Sequence, residues 1–121
     1  PREARAGRRG RRMTFVVQAL MDEQPIEVVQ IVRGQLGAGD RVDERVLPLQ
    51  PVFTAAGRSL CATLAEADVG RAPAYWYARV MERATERWSR RDCQAAGNCA
   101  THPHADRMIR ERAWSSPIWV F

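Results

Sequence analysis

The chain has 121 residues, 45% of them hydrophobic, which suits one folded domain with a modest core and excludes a disordered polymer. No apolar run reaches the roughly eighteen residues that a membrane-crossing helix needs, and the basic start leads into no apolar segment of the kind found in export signals. The net charge of +5 sits in residues 1–12, where six arginines face only Glu3, while from Met13 onward thirteen arginines meet thirteen acids.

Residues 1–12 therefore read as a disordered, arginine-rich tail or linker, ahead of a single β-rich domain over 13–121. A nucleic-acid-binding domain carries its basic face on the folded part and stacks bases on aromatic residues; this tail does neither, so nucleic acid is not the expected partner. The start at Pro1 suggests a piece of a longer protein, with Met13 as an internal start.

Thr14–Leu20 is rich in β-branched residues and predicts a strand, which Asp22-Glu23-Gln24-Pro25 interrupts. Ile26–Arg33 predicts a second strand, with Ile26, Val28 and Val32 on one face and Val29 and Ile31 on the other, as in a strand covered on both sides. Gly34 and Gly37-Ala38-Gly39-Asp40 read as a turn, and Val42–Leu47 returns as the other arm of a hairpin that Pro48 and Pro51 end. Residues 58–67 fit a helix by alanine content and a strand by the spacing of Leu60, Ala62 and Leu64. Residues 74–82 join β-forming aromatics to helix formers.

Ser89–Ala96 predicts a short helix capped by Ser89 and closed by Gly97, followed by an irregular loop over 97–106. The chain ends on Glu111–Phe121, with Trp114, Pro117, Trp119 and Phe121 in eleven residues. A terminus is ordinarily polar, and a large apolar side chain gains roughly 1.5–3 kcal/mol on burial, so this segment is expected to be a buried last strand. The resulting fold class is mainly β: an antiparallel β-sandwich-like domain with a short helix and an irregular insertion before the last strand.

Cys93, Cys99, His102 and His104, with Asp106 nearby, are zinc-ligand types, but Cys-x5-Cys-x2-His-x-His is not a close-paired metal framework. A structural metal, a Cys93–Cys99 disulfide and simple loop residues all stay open. With Cys61 the cysteines number three, which fits one disulfide plus a thiol in an oxidising compartment or three thiols in the cytosol. Ser115 and Ser116 lack the Gly-x-Ser-x-Gly turn of an activated nucleophile and read as strand serines. Tyr75, Trp76, Tyr77, Trp88, Trp114 and Trp119 are expected in a core or a domain interface, with an aromatic ligand platform as the alternative. Arg79 and Arg112 are expected to pair with Glu82 or Glu111 at the sheet surface.

Three stretches carry a family likeness: Ala74-Tyr75-Trp76-Tyr77-Ala78-Arg79-Val80-Met81-Glu82, then Arg87-Trp88-Ser89, then Glu111-Arg112-Ala113-Trp114-Ser115-Ser116-Pro117-Ile118-Trp119. Together they resemble the C-terminal end of a bacterial family known as domain of unknown function 3604. Ile26–Gly34 and Ser59-Leu60-Cys61 resemble its preceding segments, so the likeness runs over residues 14–121 in the family's order. The family is related to the polymerase and histidinol phosphatase superfamily of metal-dependent phosphoesterases, whose metal-binding, barrel-like domain lies upstream. The chain departs from the family at Glu86, where members often have cysteine, and in the insertion that holds His102 and His104. His102-Pro103-His104 is similar in form to the superfamily's metal-binding pair but lies in a loop far from any barrel strand, and the upstream His/Asp motifs are not in this chain.

The resemblance implies strands over 60–66, 75–81 and 113–120, the last two paired. It implies a non-catalytic C-terminal β domain of a hydrolase-like protein, packed against a catalytic domain of the same polypeptide; a standalone module binding a carbohydrate or protein partner is the alternative. No catalytic residue and no cofactor is expected here, with a divalent metal confined to the upstream domain. Tyr75, Tyr77, Arg79, Trp88, Arg112, Trp114, Ser115, Ser116, Pro117 and Trp119 are then structural residues of the family motif. A periplasmic or exported location also follows from the resemblance alone.

Overall fold

The computed structural model describes residues 11–66, 69, 72–103 and 108–121. Residues 1–10, which hold most of the arginine-rich tail, and His104 and Asp106 of the candidate ligand set lie outside the described residues. The strands are β1 (Met13–Leu20), β2 (Ile26–Leu36), β3 (Val42–Pro48), β4 (Val52–Phe53), β5 (Ser59–Glu66), β6 (Ala74–Glu82), β7 (Thr85–Glu86), β8 (Met108–Ile109), β9 (Arg112–Trp114) and β10 (Ile118–Val120), with α1 (Trp88–Ala96) between β7 and β8.

Alternation in β1 turns Phe15 and Val17 inward and leaves Thr14, Val16 and Gln18 exposed. Its partner β5 places Leu64 and Ala62 opposite those two residues, so both strands present one apolar face. This pairing decides the segment that sequence left between helix and strand: eight consecutive cross-strand partners outweigh the weak helix preference of its alanines. With β4 they form a three-stranded sheet in the order β1-β5-β4. A second antiparallel sheet runs β10-β6-β2-β3, with β9 also paired to β6, and a two-stranded ladder of β7 and β8 closes the base of the insertion.

The inner faces of the two larger sheets meet in a core of Phe15, Val17, Ile26, Val29, Ile31, Leu49, Leu60, Ala62, Val69, Ala74 and Trp76. Phe15 stacks on Trp76 at 5.2 Å between ring centroids, joining the layers. The domain is an antiparallel β-sandwich without a closed barrel. At one margin of the core Arg33 reaches Glu66 at 3.8 Å and lies 5.6 Å from the centroid of the Trp76 ring. No helix of the described residues is long and apolar enough to cross a membrane.

Several expectations change. The register of β2 against β6 shifts between Ile26 and Val28, and that irregularity brings Ile26 into the core beside Val29 and Ile31 rather than facing outward with Val28 and Val32. Gly34 is not part of a turn: it is a buried residue inside β2, opposite Glu44 and Tyr75. Ser89 does not cap α1, because the helix begins one residue earlier and its N-cap is Arg87, which makes no side-chain capping bond. Gly97 closes that helix at φ 69°, as expected.

The terminal segment is also not buried. β9 and β10 lie on the edge of the larger sheet, where Trp114 and Trp119 stand opposite outward-facing Arg79 and Tyr75, and only Ile118 stands opposite core-facing Trp76. Trp114, Ile118, Trp119 and Phe121 are 58%, 53%, 51% and 80% exposed.

Candidate functional site

Cross-strand register assembles one face from residues far apart in sequence. In antiparallel pairs, directly opposed residues project to the same side. Tyr75, Tyr77 and Arg79 alternate on β6 with core-facing Ala74, Trp76 and Ala78, so they point away from the smaller sheet. Trp119 of β10 stands opposite Tyr75, Trp114 of β9 opposite Arg79, and Arg112 opposite Met81. On the other flank of β6, β2 supplies Gln30, Val32 and Gly34, and β3 supplies Val46 and Glu44 beyond them. The outer face of the larger sheet is thus an aromatic field bordered by aliphatic and a few polar side chains.

Gly34 shapes the centre of this field. The Tyr75 ring lies so close over it that a Cβ would overlap ring atoms and the hydroxyl. The ring crosses β2 and places its hydroxyl 2.5 Å from Glu44 Oε1 on β3, donating a charge-assisted hydrogen bond. That bond, together with desolvation and the Glu44 charge, pushes the Tyr75 phenol from its ordinary 10.0 up to about 12. Tyr77 lies parallel to Tyr75, at 9° and 6.3 Å, and Trp119 leans on Tyr75 at 5.0 Å. Phe121 continues the row, 6.3 Å from Trp119 at 10°.

The polar groups of the face bind one another. Arg79 donates to Gln30 Oε1 through Nε at 3.0 Å and Nη2 at 2.6 Å, instead of pairing with Glu82 or Glu111 as its sequence neighbourhood suggests. Between β9 and β10 the edge strand breaks at Ser115-Ser116-Pro117. Ser115 bridges this break: its N–H donates to the Ala78 carbonyl at 3.0 Å, and its Oγ accepts from the Ala78 N–H at 2.9 Å. Its hydroxyl donates in turn to the Ser116 carbonyl at 2.9 Å. The serine thus carries the ladder across a gap that Pro117, lacking an N–H, helps to create. At the C-terminal end Arg11 Nη1 donates to the Phe121 carbonyl at 3.0 Å.

The residues singled out from sequence separate by role. Tyr75, Tyr77, Arg79, Arg112, Trp114 and Trp119 come together on the outer face. Trp76 is 1% exposed and belongs to the core, while Trp88 opens α1 at 76% exposure. Ser115, Ser116 and Pro117 shape the strand break. Cys93 and Cys99 form a disulfide, so neither offers the thiolate that a zinc site requires, and the open choice among metal, disulfide and loop falls to the disulfide. Among the described residues no group of three or more His, Cys, Asp or Glu side chains is gathered to hold a metal.

Glu44, Gln30 and Gly34 went unremarked as members of the site. Gly34 alone carried a visible cue, since a glycine inside a β-branched run marks a close approach over the backbone. Among the described residues, two hollows that adjoin the sandwich bear on the site. One, of about 370 Å³, opens between the sheets and is lined by Phe15, Gln18, Ile31, Trp76, Ser115 and Ile118. The other, of about 560 Å³, lies by Leu20, Val52, Phe53 and the half-buried free thiol Cys61. Both are mainly apolar, and neither gathers an acid, a base and a nucleophile.

Residues 54–121 match the family described as Protein of unknown function (DUF3604). That span is more than half of the chain and holds every residue of the C-terminal motif; the likeness over Ile26–Gly34 lies outside it. No curated protein and no solved structure matches the chain.

Proposed function

Because this chain belongs to the DUF3604 family, we propose that it serves as the non-catalytic C-terminal β domain of a bacterial, phosphoesterase-like metal-dependent hydrolase. In this reading it packs against a catalytic domain encoded upstream in the same polypeptide. The observation that carries the proposal is the terminal motif itself: Trp114, Trp119 and Phe121 are each at least half exposed. Apolar surface concentrated in this way marks an interaction site rather than ordinary scatter. Metal and catalysis then belong upstream, and the Cys93–Cys99 disulfide suits a protein that matures in an oxidising compartment such as the periplasm.

The test compares residues 1–121 with the longer polypeptide read from the frame upstream of Pro1, using a phosphoester substrate with Mn²⁺ or Zn²⁺. Activity is expected in the longer protein alone. Turnover by 1–121 that disappears with chelator would overturn the reading. The parallel Tyr75 and Tyr77 rings favour a second reading, a module that stacks a saccharide ring on the same face. Saturable quenching of tryptophan fluorescence by an oligosaccharide, lost in Trp119→Ala, would support it.

A further inference from the structure

We infer that the outer face of the larger sheet is the dry side of the domain junction, and that its occupant is an apolar patch of the upstream domain bearing carboxylates towards Arg79 and Arg112. This rests on the reading that such a domain exists; the face itself is argued from this chain.

Three properties select a dry protein contact over a polar ligand. The first is hydrogen-bond satisfaction. Tyr75 is bonded to Glu44 and Arg79 to Gln30, both within the face. Covering these groups leaves both bonds intact, and the Arg79 donors that Gln30 does not take are left for the partner's carboxylates. A saccharide needs open partners for its hydroxyls, and the Tyr75 hydroxyl and the Gln30 carbonyl are already engaged.

The second property is preorganisation. The Tyr75 ring is laid across Gly34, held by Glu44, and flanked by Tyr77 and Trp119. Rings with few rotatable bonds, already held in place, lose little entropy on contact. The third is extent. From Trp114 to Phe121 and across to Val46 and Val42 the face spans four strands and about eight residues of length. At ~4.8 Å between strands and ~3.3 Å per residue its projection is roughly 400 Å², the scale of one side of an interdomain contact.

Charge specifies the occupant further. Arg79 and Arg112 stand on adjoining rows at one end of the face, and Glu44, held by Tyr75, stands towards the other. A partner with carboxylates at the arginine end meets complementary charge, whereas a basic patch is repelled.

Hydroxyl-radical footprinting of 1–121 and of the longer polypeptide, read by mass spectrometry, tests the surface separately from the domain reading. In 1–121, Trp114, Trp119 and Phe121 are expected to label strongly and Trp76 weakly. In the longer protein, Trp114, Trp119 and Phe121 fall to the level of Trp76, while Trp88 and Leu20 keep their labelling. Protection of Leu20 and Val52 with Trp114 and Trp119 still labelled would overturn the proposed face but leave a domain contact standing. Unchanged labelling throughout overturns both. Protection of Trp119 in 1–121 by an added oligosaccharide would overturn the dry junction. Trp119→Glu in the longer protein should restore labelling of Trp114, and retained protection there counts against the face as well.

Discussion

Replacing Gly34 with alanine probes the centre of the aromatic face. Gly34 has no positive φ, so its backbone tolerates a side chain, and the penalty comes from the overlap of the new Cβ with the Tyr75 ring. The ring must lift, which breaks the Tyr75–Glu44 bond and its contacts with Tyr77 and Trp119. An exposed charge-assisted bond at the low end of its range contributes about 1.5 kcal/mol, and the aromatic contacts about 0.5–1.5 kcal/mol. Alanine recovers about 0.5–1 kcal/mol by stiffening the unfolded chain, leaving a net loss of about 1–2.5 kcal/mol.

Urea unfolding of Gly34→Ala should show that loss, and the sign should reverse in a Tyr75→Ala background, where the same change becomes stabilising by about 0.5–1 kcal/mol. Equal destabilisation in both backgrounds would refute the account, because the cost would then not run through Tyr75. A spectroscopic readout accompanies it. In a Tyr77→Phe background the Tyr75 phenol should ionise at about 12, and Glu44→Gln or Gly34→Ala should move it back towards 10.0. Since the folded value is the raised one, the stability this bond contributes is fully present below pH 10 and is lost as pH rises through 12. Glu44→Gln should flatten the alkaline part of the stability profile.

Ser115→Ala removes the acceptor for the Ala78 N–H and should cost about 1 kcal/mol in urea unfolding, with Ser116→Ala near neutral; equal effects would argue against the bridging role. Trp76→Ala, in the core, should cost about 3–5 kcal/mol, whereas half-exposed Trp119→Ala should cost under about 1 kcal/mol. Comparable midpoints for those two variants would invert the assignment of core and surface. Replacing both Cys93 and Cys99 with serine opens a short cross-linked loop and should lower stability by about 2 kcal/mol on the chain-entropy account. Thiol titration of the unreduced, denatured protein should find Cys61 alone reactive, and three reactive thiols would contradict the disulfide.

Where a structural cue is local it was readable. The hairpin of β2 and β3 follows from a β-branched run, a glycine turn and a second alternating run. Residues 74–82 stayed between strand and helix formers by composition, and only their pairing in the larger sheet separates buried Trp76 from Tyr75 and Tyr77. Other features have no local cue. Nothing near Tyr75 announces Glu44, 31 residues earlier, and nothing near Arg79 announces Gln30, 49 residues earlier. The register shift after Ile26 was invisible because it depends on how β2 meets β6. The break at Ser115-Ser116-Pro117 splits a segment that composition reads as one strand.

The sequence by itself determined that this is a mainly β domain with a hairpin of β2 and β3 and a short helix closed by Gly97. These rest on period-two alternation, turn residues and composition, all properties of neighbouring residues. Only the tertiary structure decided which side of each strand is covered. Apolar alternation says that one face of a strand differs from the other, but which face is buried depends on where the opposing sheet packs. The smaller sheet packs on one face of the larger, so Trp76 on that face is hidden while Tyr75, Trp114 and Trp119 on the opposite face remain a surface.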